Sequence, residues 1–187
     1  TESRLVFIDP TVNDYQSLVA AISPLAETVV LDPSKDGVEQ ITQELSNRHL
    51  ISSIEIISDG TSGGLHLGQT WLDSASLDHY SQQLQDWADS LTDDADIRLY
   101  GCNVAQGEQG SNFVTEISKI TGADIAASTD LTGAAALGGN WDLEFTTGEI
   151  NTPTALQPEQ LQNYGGTLGN LTLPEGFMKS ILDYGAI

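Results

Sequence analysis

Short aliphatic runs and longer stretches with helical periodicity take turns along residues 4–150, and that alternation leaves few folds open. "RLVFID" (4–9) reads as a buried strand, and "NDYQSLVAAI" (13–22) as a helix with Asn13 or Asp14 near its cap. "ETVVLD" (27–32) is the next strand, stopped by Pro33, and "DGVEQITQELSNRH" (36–49) places Val38, Ile41 and Leu45 on one helical face. "SSIEIIS" (52–58) predicts a third strand ending in the loop "DGTSGG", and "GLHLGQTWL" a hairpin laid beside the sheet. The longest predicted helix is "SASLDHYSQQLQDWADSL" (74–91), with Leu77, Tyr80, Leu84, Trp87 and Leu91 on one stripe. "DIRLYG" (96–101) is the fourth strand and "SNFVTEISKITG" (111–122) a helix closed by Gly122. "ADIAAS" (123–128) is a fifth strand and "NWDLEFTTGEI" (140–150) a final extended stretch. Strands alternating with helices make βαβ units, so the predicted fold is α/β: a three-layer αβα domain on a mostly parallel open sheet. After residue 150 the pattern weakens into Pro, Gly and Gln. The expected division is therefore a domain over 1–150 and a tail or linker over 151–187, with "PEGFMKSILDYG" as a short docked helix.

Charge removes several classes of partner. The formal net charge is −21, and phosphate binding needs a basic surface that releases counterions. Nucleic acid is excluded on that ground, and docking on anionic lipid with it. An acidic surface reads first as a solubility device, with Ca²⁺ as the one cofactor it leaves open. "TDDAD" (92–96) lacks the Gly and terminal Glu of an EF-hand loop and is expected to be a solvated turn. No run of 18 apolar residues suggests a membrane span, and the start shows no signal-peptide pattern. The single cysteine excludes an internal disulfide.

Open parallel sheets bind ligands outside the carboxyl ends of their strands. Two loops there stand out, "SDGTSGG" after the third strand and "GCNVAQGEQG" after the fourth, and adjacent strands would bring Asp59 and Cys102 together. Gly60 and Gly101 flank the pair, where glycine lets backbone N–H groups approach a reacting oxygen. "GTSGG" lacks the lysine and spacing of a P-loop. There is no dinucleotide fingerprint at the first strand–helix turn and no G-x-S-x-G elbow. Trp71, Trp87 and Trp141 read as core or hairpin aromatics. Cys102 alone, without further context, is equally a small buried hydrophobe.

The segments "IEIISDGTSGGLHLG", "WADSL", "IRLYGCNVAQGEQG", "TGADIAAS" and "LGGNWDLE" resemble the domain of unknown function 4347 over residues 4–150. That is a bacterial module near the amino end of very large secreted or surface proteins, which implies an extracellular or cell-surface setting. The family in turn is similar to caspase-like cysteine peptidases, and the resemblance implies caspase-like topology. In that fold a His-Gly ends one strand and a Cys the next, as general base, oxyanion donor and nucleophile. Carried over, Cys102 is the nucleophile, Gly60 an oxyanion-hole donor, and position 59 the base. Here the stretch reads Ser58-Asp59-Gly60. An ionised Asp raises a neighbouring thiol's pKa, and at an ordinary pKa near 4 it has no proton for a leaving amine. The chain is then a poor peptidase, either a natural pseudoenzyme or an engineered inactive variant.

Three histidines could stand in as base. His66 lies in the hairpin, where alternation with Leu65 and Leu67 turns it away from the packed face; His49 sits at a helix end and His79 between stripe positions. The resemblance implies that Ser128 and Asp130 line the pocket for the residue before the scissile bond. An acid there would favour Lys or Arg, making Lys179 the candidate self-cleavage point. The expected partner is a peptide or protein substrate, including the chain itself. The alternative is a non-catalytic binding or structural module of a large adhesin-like protein. A site inherited from a peptidase is expected to leave Cys102 partly exposed in a cleft.

Overall fold

The computed structural model describes residues 3–169. The predicted alternation is present: β1 (Ser3–Ile8), α1 (Tyr15–Ala20), β2 (Glu27–Val30), α2 (Gly37–Ser46) and β3 (Ile51–Ile57). Three short strands follow, β4 (Gly60–Thr61), β5 (Gly64–Leu67) and β6 (Thr70–Asp73), forming a separate antiparallel sheet in the order β4-β5-β6. Then come α3 (Ser81–Ala88), β7 (Leu91–Tyr100), α4 (Gly107–Thr121), β8 (Asp124–Ala127), β9 (Phe145–Thr146) and α5 (Pro158–Leu161). The main sheet runs β2-β1-β3-β7-β8-β9, parallel except for the last strand. This is the three-layer α/β arrangement the periodicity predicts.

Because side chains alternate along a strand, the sheet has two faces of different character. Leu5, Phe7, Ile54, Ile56, Ile97, Leu99 and Ile125 pack with α2, α3 and α4 into the larger core. Each such fully buried aliphatic or aromatic side chain contributes about 1.5–3 kcal/mol. Val6, Ile8, Ile57 and Tyr100 face the other way, into a second core with Leu18, Leu156, Leu161, Tyr164 and Leu168. Toward the amino ends of the strands that second face turns polar, with Arg4 paired to Ser53, Glu55 to Arg98 and Ser53 to Asp96 across the ladder.

Those polar groups correct the expected boundary at residue 150. Asp96 Oδ2 accepts from the backbone N–H groups of Asn151 and Thr152, each at 2.8 Å, and Glu55 accepts from Thr154 Oγ1 at 2.8 Å and Ala155 N at 2.7 Å. Arg98 donates to the Thr152 carbonyl and Arg4 to that of Pro153. Residues 151–169 are thus clamped across the sheet rather than trailing from it. The helix expected in "PEGFMKSILDYG" lies outside the described residues.

Two other expectations change. The helix predicted over 74–91 is a 3₁₀ turn at Leu77–Tyr80 and then α3, ending before Leu91. Leu91 pairs with Ile51 of β3 instead, so the parallel ladder claims it while the rest of the stripe stays buried. "TDDAD" falls inside β7 as a bulge: register passes from Ile51↔Leu91 to Ser53↔Asp96, leaving Asp93 and Asp94 exposed.

Candidate active site

The last pair of the β3–β7 ladder is Ile57↔Tyr100, and Ser58 N donates to the Tyr100 carbonyl at 3.1 Å. Asp59-Gly60 and Gly101-Cys102 therefore leave the sheet side by side. The approach is so close that a Cβ on Gly60 would lie 2.7 Å from Val104 Cγ2 and 2.8 Å from the Cys102 carbonyl oxygen. Past the cysteine, Asn103 adopts φ 62°, a left-handed conformation in which Asn is enriched, and its N–H is held by the Asp130 carbonyl at 2.8 Å.

The two loops border a cleft of about 600 Å³, walled also by Thr11, His66, Trp71 and Leu131. His66 does turn away from the packed face, as alternation predicts, and that other face is the cleft wall. Its Nδ1 lies 3.2 Å from Thr11 Oγ1 and 3.9 Å from the buried Asp9 carboxylate. Asp9 is fixed by Thr11 N at 2.8 Å and Gly68 N at 2.6 Å. His49 and His79 are not among the residues that line this cleft.

Asp59 departs from its sequence expectation. Its residue is 8% exposed, and its carboxylate makes no hydrogen bond among the described residues. Burial pushes its pKa up to about 6, with the His66 ring opposing and Asp9 reinforcing the rise. The ordinary value near 4 does not apply, and close to neutrality this group exchanges a proton. Burial also pushes the Cys102 thiol up; hydrogen bonds from the Thr132 and Leu168 backbone oppose that rise, and Asp59 and Asp130 add to it.

Cys102 is 2% exposed, against the expectation of partial exposure. The chain's own return segment covers it. A Cβ on Gly169 would lie 3.0 Å from Cys102 Sγ. Just before it, the Leu168 carbonyl oxygen accepts from both Gly60 N and Cys102 N, each at 2.9 Å. Leu168 N donates to the Thr132 carbonyl at 2.8 Å, Ala134 N donates to the Gly166 carbonyl at 2.8 Å, and Gly133 bridges Thr167 antiparallel. The thiol itself sits against Thr132, with Sγ 3.3 Å from its N and 3.5 Å from its carbonyl oxygen.

The remaining expected site residues are not gathered here. Ser128 Oγ donates to the Asp130 carbonyl at 2.9 Å and lies 3.3 Å from Glu144 Oε1, while Asp130 Oδ2 accepts from Asn140 at 3.0 Å. Neither lines the cleft, whose acidic lining residues are Asp59 and Asp73 instead. Lys179 lies outside the described residues. Thr132, Leu168 and Gly169 escaped sequence reasoning because they come from loops with no periodic signal. Asp9 carried a readable one, since it directly follows β1 (Ser3–Ile8) on the same edge of the sheet as Asp59 and Cys102.

The Domain of unknown function (DUF4347) matches this sequence over residues 5–168. The chain belongs to the DUF4347 family. The match extends through the return segment to Leu168, in step with its packing. No curated protein matches this DUF4347 chain. Among solved structures, a small-chain dehydrogenase aligns at 7% identity with a TM-score of 0.33, over 63% of this chain and 76% of that one. Among the described residues there is no helix long and apolar enough to cross a membrane. Nor is there a group of three or more His, Cys, Asp or Glu that could hold a metal ion.

Proposed function

We propose that this cleft is a cysteine-peptidase-type acyl-transfer site, with Cys102 as nucleophile, the N–H groups of Gly60 and Cys102 as oxyanion hole, and position 59 as base. One observation carries the reading: both N–H groups converge on a single carbonyl oxygen at 2.9 Å. Stabilisation of a tetrahedral oxyanion calls for donors at about 2.7–3.1 Å, and each donor of this kind is worth roughly 100- to 1,000-fold in rate.

Asp59 makes the site weak as it stands. An ordinary thiol titrates near 8.5, and Asp59 near 6. Moving the proton from sulfur to carboxylate is therefore uphill by at least about 2.5 pH units, or about 3.4 kcal/mol. The thiolate so formed gains no attraction from a neutral acid, whereas an imidazolium would pair with it and later protonate the leaving amine. Acidification does not help, because it protonates Asp59 while keeping the thiol protonated. The competing reading, a non-catalytic binding or structural module of a larger surface protein, draws on the burial and raised pKa of Cys102.

The test is amide hydrolysis by Asp59→His, on its own chain and on a peptide library, with Asp59→His/Cys102→Ala as control. Cys102-dependent cleavage of any amide supports the peptidase reading. Absence of cleavage in every substrate moves the assignment to the binding module.

A further inference from the structure

We infer that the Leu168–Gly169 peptide bond is the bond this site is built to cut, so that its substrate is a leucyl-glycyl junction in its own chain. The inference rests on the peptidase reading above and adds the occupant, the bond and the specificity.

Three independent features place that bond in a substrate's position. The first is the carbonyl of Leu168, whose oxygen occupies the two-donor hole. The second is backbone pairing on the amino side. Leu168 N bonds the Thr132 carbonyl, Gly133 bridges Thr167, and Ala134 N bonds the Gly166 carbonyl. Residues 166–168 thus lie as an added strand along 132–134, the mode by which extended peptides dock on exposed backbone. The third is fit on both sides of the bond. The Leu168 side chain is wholly buried in the second core, which includes Ile57, Tyr100 and Tyr164. Gly169 lies so close to the thiol that an added Cβ would be 2.9 Å from Cys102 Cβ and 3.0 Å from Sγ. An apolar residue before the bond and glycine after it are what this geometry admits. That replaces the basic preference, since Asp130 is tied to Ser128 and Asn140.

Histidine at position 59 supplies the base for this step. The base takes the Cys102 proton and the thiolate adds to the Leu168 carbonyl carbon. The C–N bond to Gly169 breaks as the imidazolium protonates the departing nitrogen. The Leu168 thioester left on sulfur is then opened by one water, whose oxygen joins the acyl carbon, with one of its protons returning the thiol and the other released to solvent from the new carboxylic acid. The products are a chain ending in the Leu168 carboxylate and a free amine on Gly169. With Asp59 the same segment stays uncut in the site, and it covers the cysteine.

The experiment is intact mass of the full chain over time for Asp59→His, Asp59→His/Cys102→Ala, Asp59→His/Leu168→Lys and Asp59→His/Leu168→Met. The expected result is fragments 1–168 and 169–187 from the single variant and none from the Cys102→Ala control. Lysine at position 168 should slow the cut at least about tenfold, while methionine keeps it within a few fold. Cleavage at another bond, or an equal rate with lysine at position 168, overturns the inference and leaves the peptidase reading standing. An intact Asp59→His chain also overturns it. The peptide library then decides the reading separately: cleavage there retains a peptidase with a different substrate, and none removes both.

Discussion

Replacing Asp59 by asparagine should stabilise the protein, and by an amount that depends on pH in a defined sense. The two side chains are nearly isosteric, and the carboxylate has no hydrogen-bond partner to lose among the described residues. Its pKa moves from 3.8 to about 6 in the folded chain, with burial the first cause. A rise of about two pH units corresponds to about 3 kcal/mol, since each unit is 1.36 kcal/mol. The folded state holds the proton more tightly, so between about pH 4 and pH 6 it binds more protons than the unfolded state. Stability must therefore fall as pH rises through that window, and the full penalty is present above it. The amide introduced by Asp59→Asn does not ionise. The variant's gain over the parent chain should be larger at pH 8 than at pH 4 by about 2.5 kcal/mol, or about 5–10 °C in melting temperature for a chain of this size. Urea unfolding of both proteins at pH 4, 5, 6, 7 and 8 measures this, with unchanged m-values as the check on comparable unfolded states. A gain that is the same at pH 4 and pH 8, or a loss at pH 8, would refute the account of Asp59 as a desolvated carboxylate.

Other perturbations follow from the same geometry. Cys102 in the folded chain should react with a thiol reagent far more slowly than in urea. Gly169→Val should speed that reaction about 5- to 150-fold, since overpacking of about 1–3 kcal/mol favours the displaced segment; equal rates would mean that Gly169 does not cover the sulfur. Asp96→Ala removes the acceptor of the Asn151 and Thr152 N–H groups and should cost about 3 kcal/mol. Hydrogen exchange at those two amides should rise before global unfolding, and unchanged protection there would sink the clamp. Gly60→Ala forces a Cβ to within 2.7 Å of Val104 and should destabilise by about 1–3 kcal/mol; an unchanged urea midpoint would show that the two loops do not touch as described.

The order of elements was legible because burial imposes its period on a strand or helix wherever the element meets a core. Leu5, Phe7, Ile54, Ile56, Ile97 and Leu99 announce strands, and Val38, Ile41 and Leu45 a helix, whatever surrounds them. Strand order in an α/β sheet then brings Asp59 near Cys102, so their adjacency could be named in advance. The return segment could not. Its hold on the sheet comes from Arg4, Glu55, Asp96 and Arg98, charged residues within the strands whose partners lie far along the chain. A sequence presents such residues as exceptions without saying what satisfies them. The same limit hid the contact of the Leu168 carbonyl with the Gly60 and Cys102 N–H groups. Residues 165–169 have the composition of a linker, and only pairing with Thr132–Ala134 makes a strand of them. The protonation of Asp59 belongs there too: composition fixes which groups ionise, but their pKa values are set by the dielectric and the charges that folding packs around them.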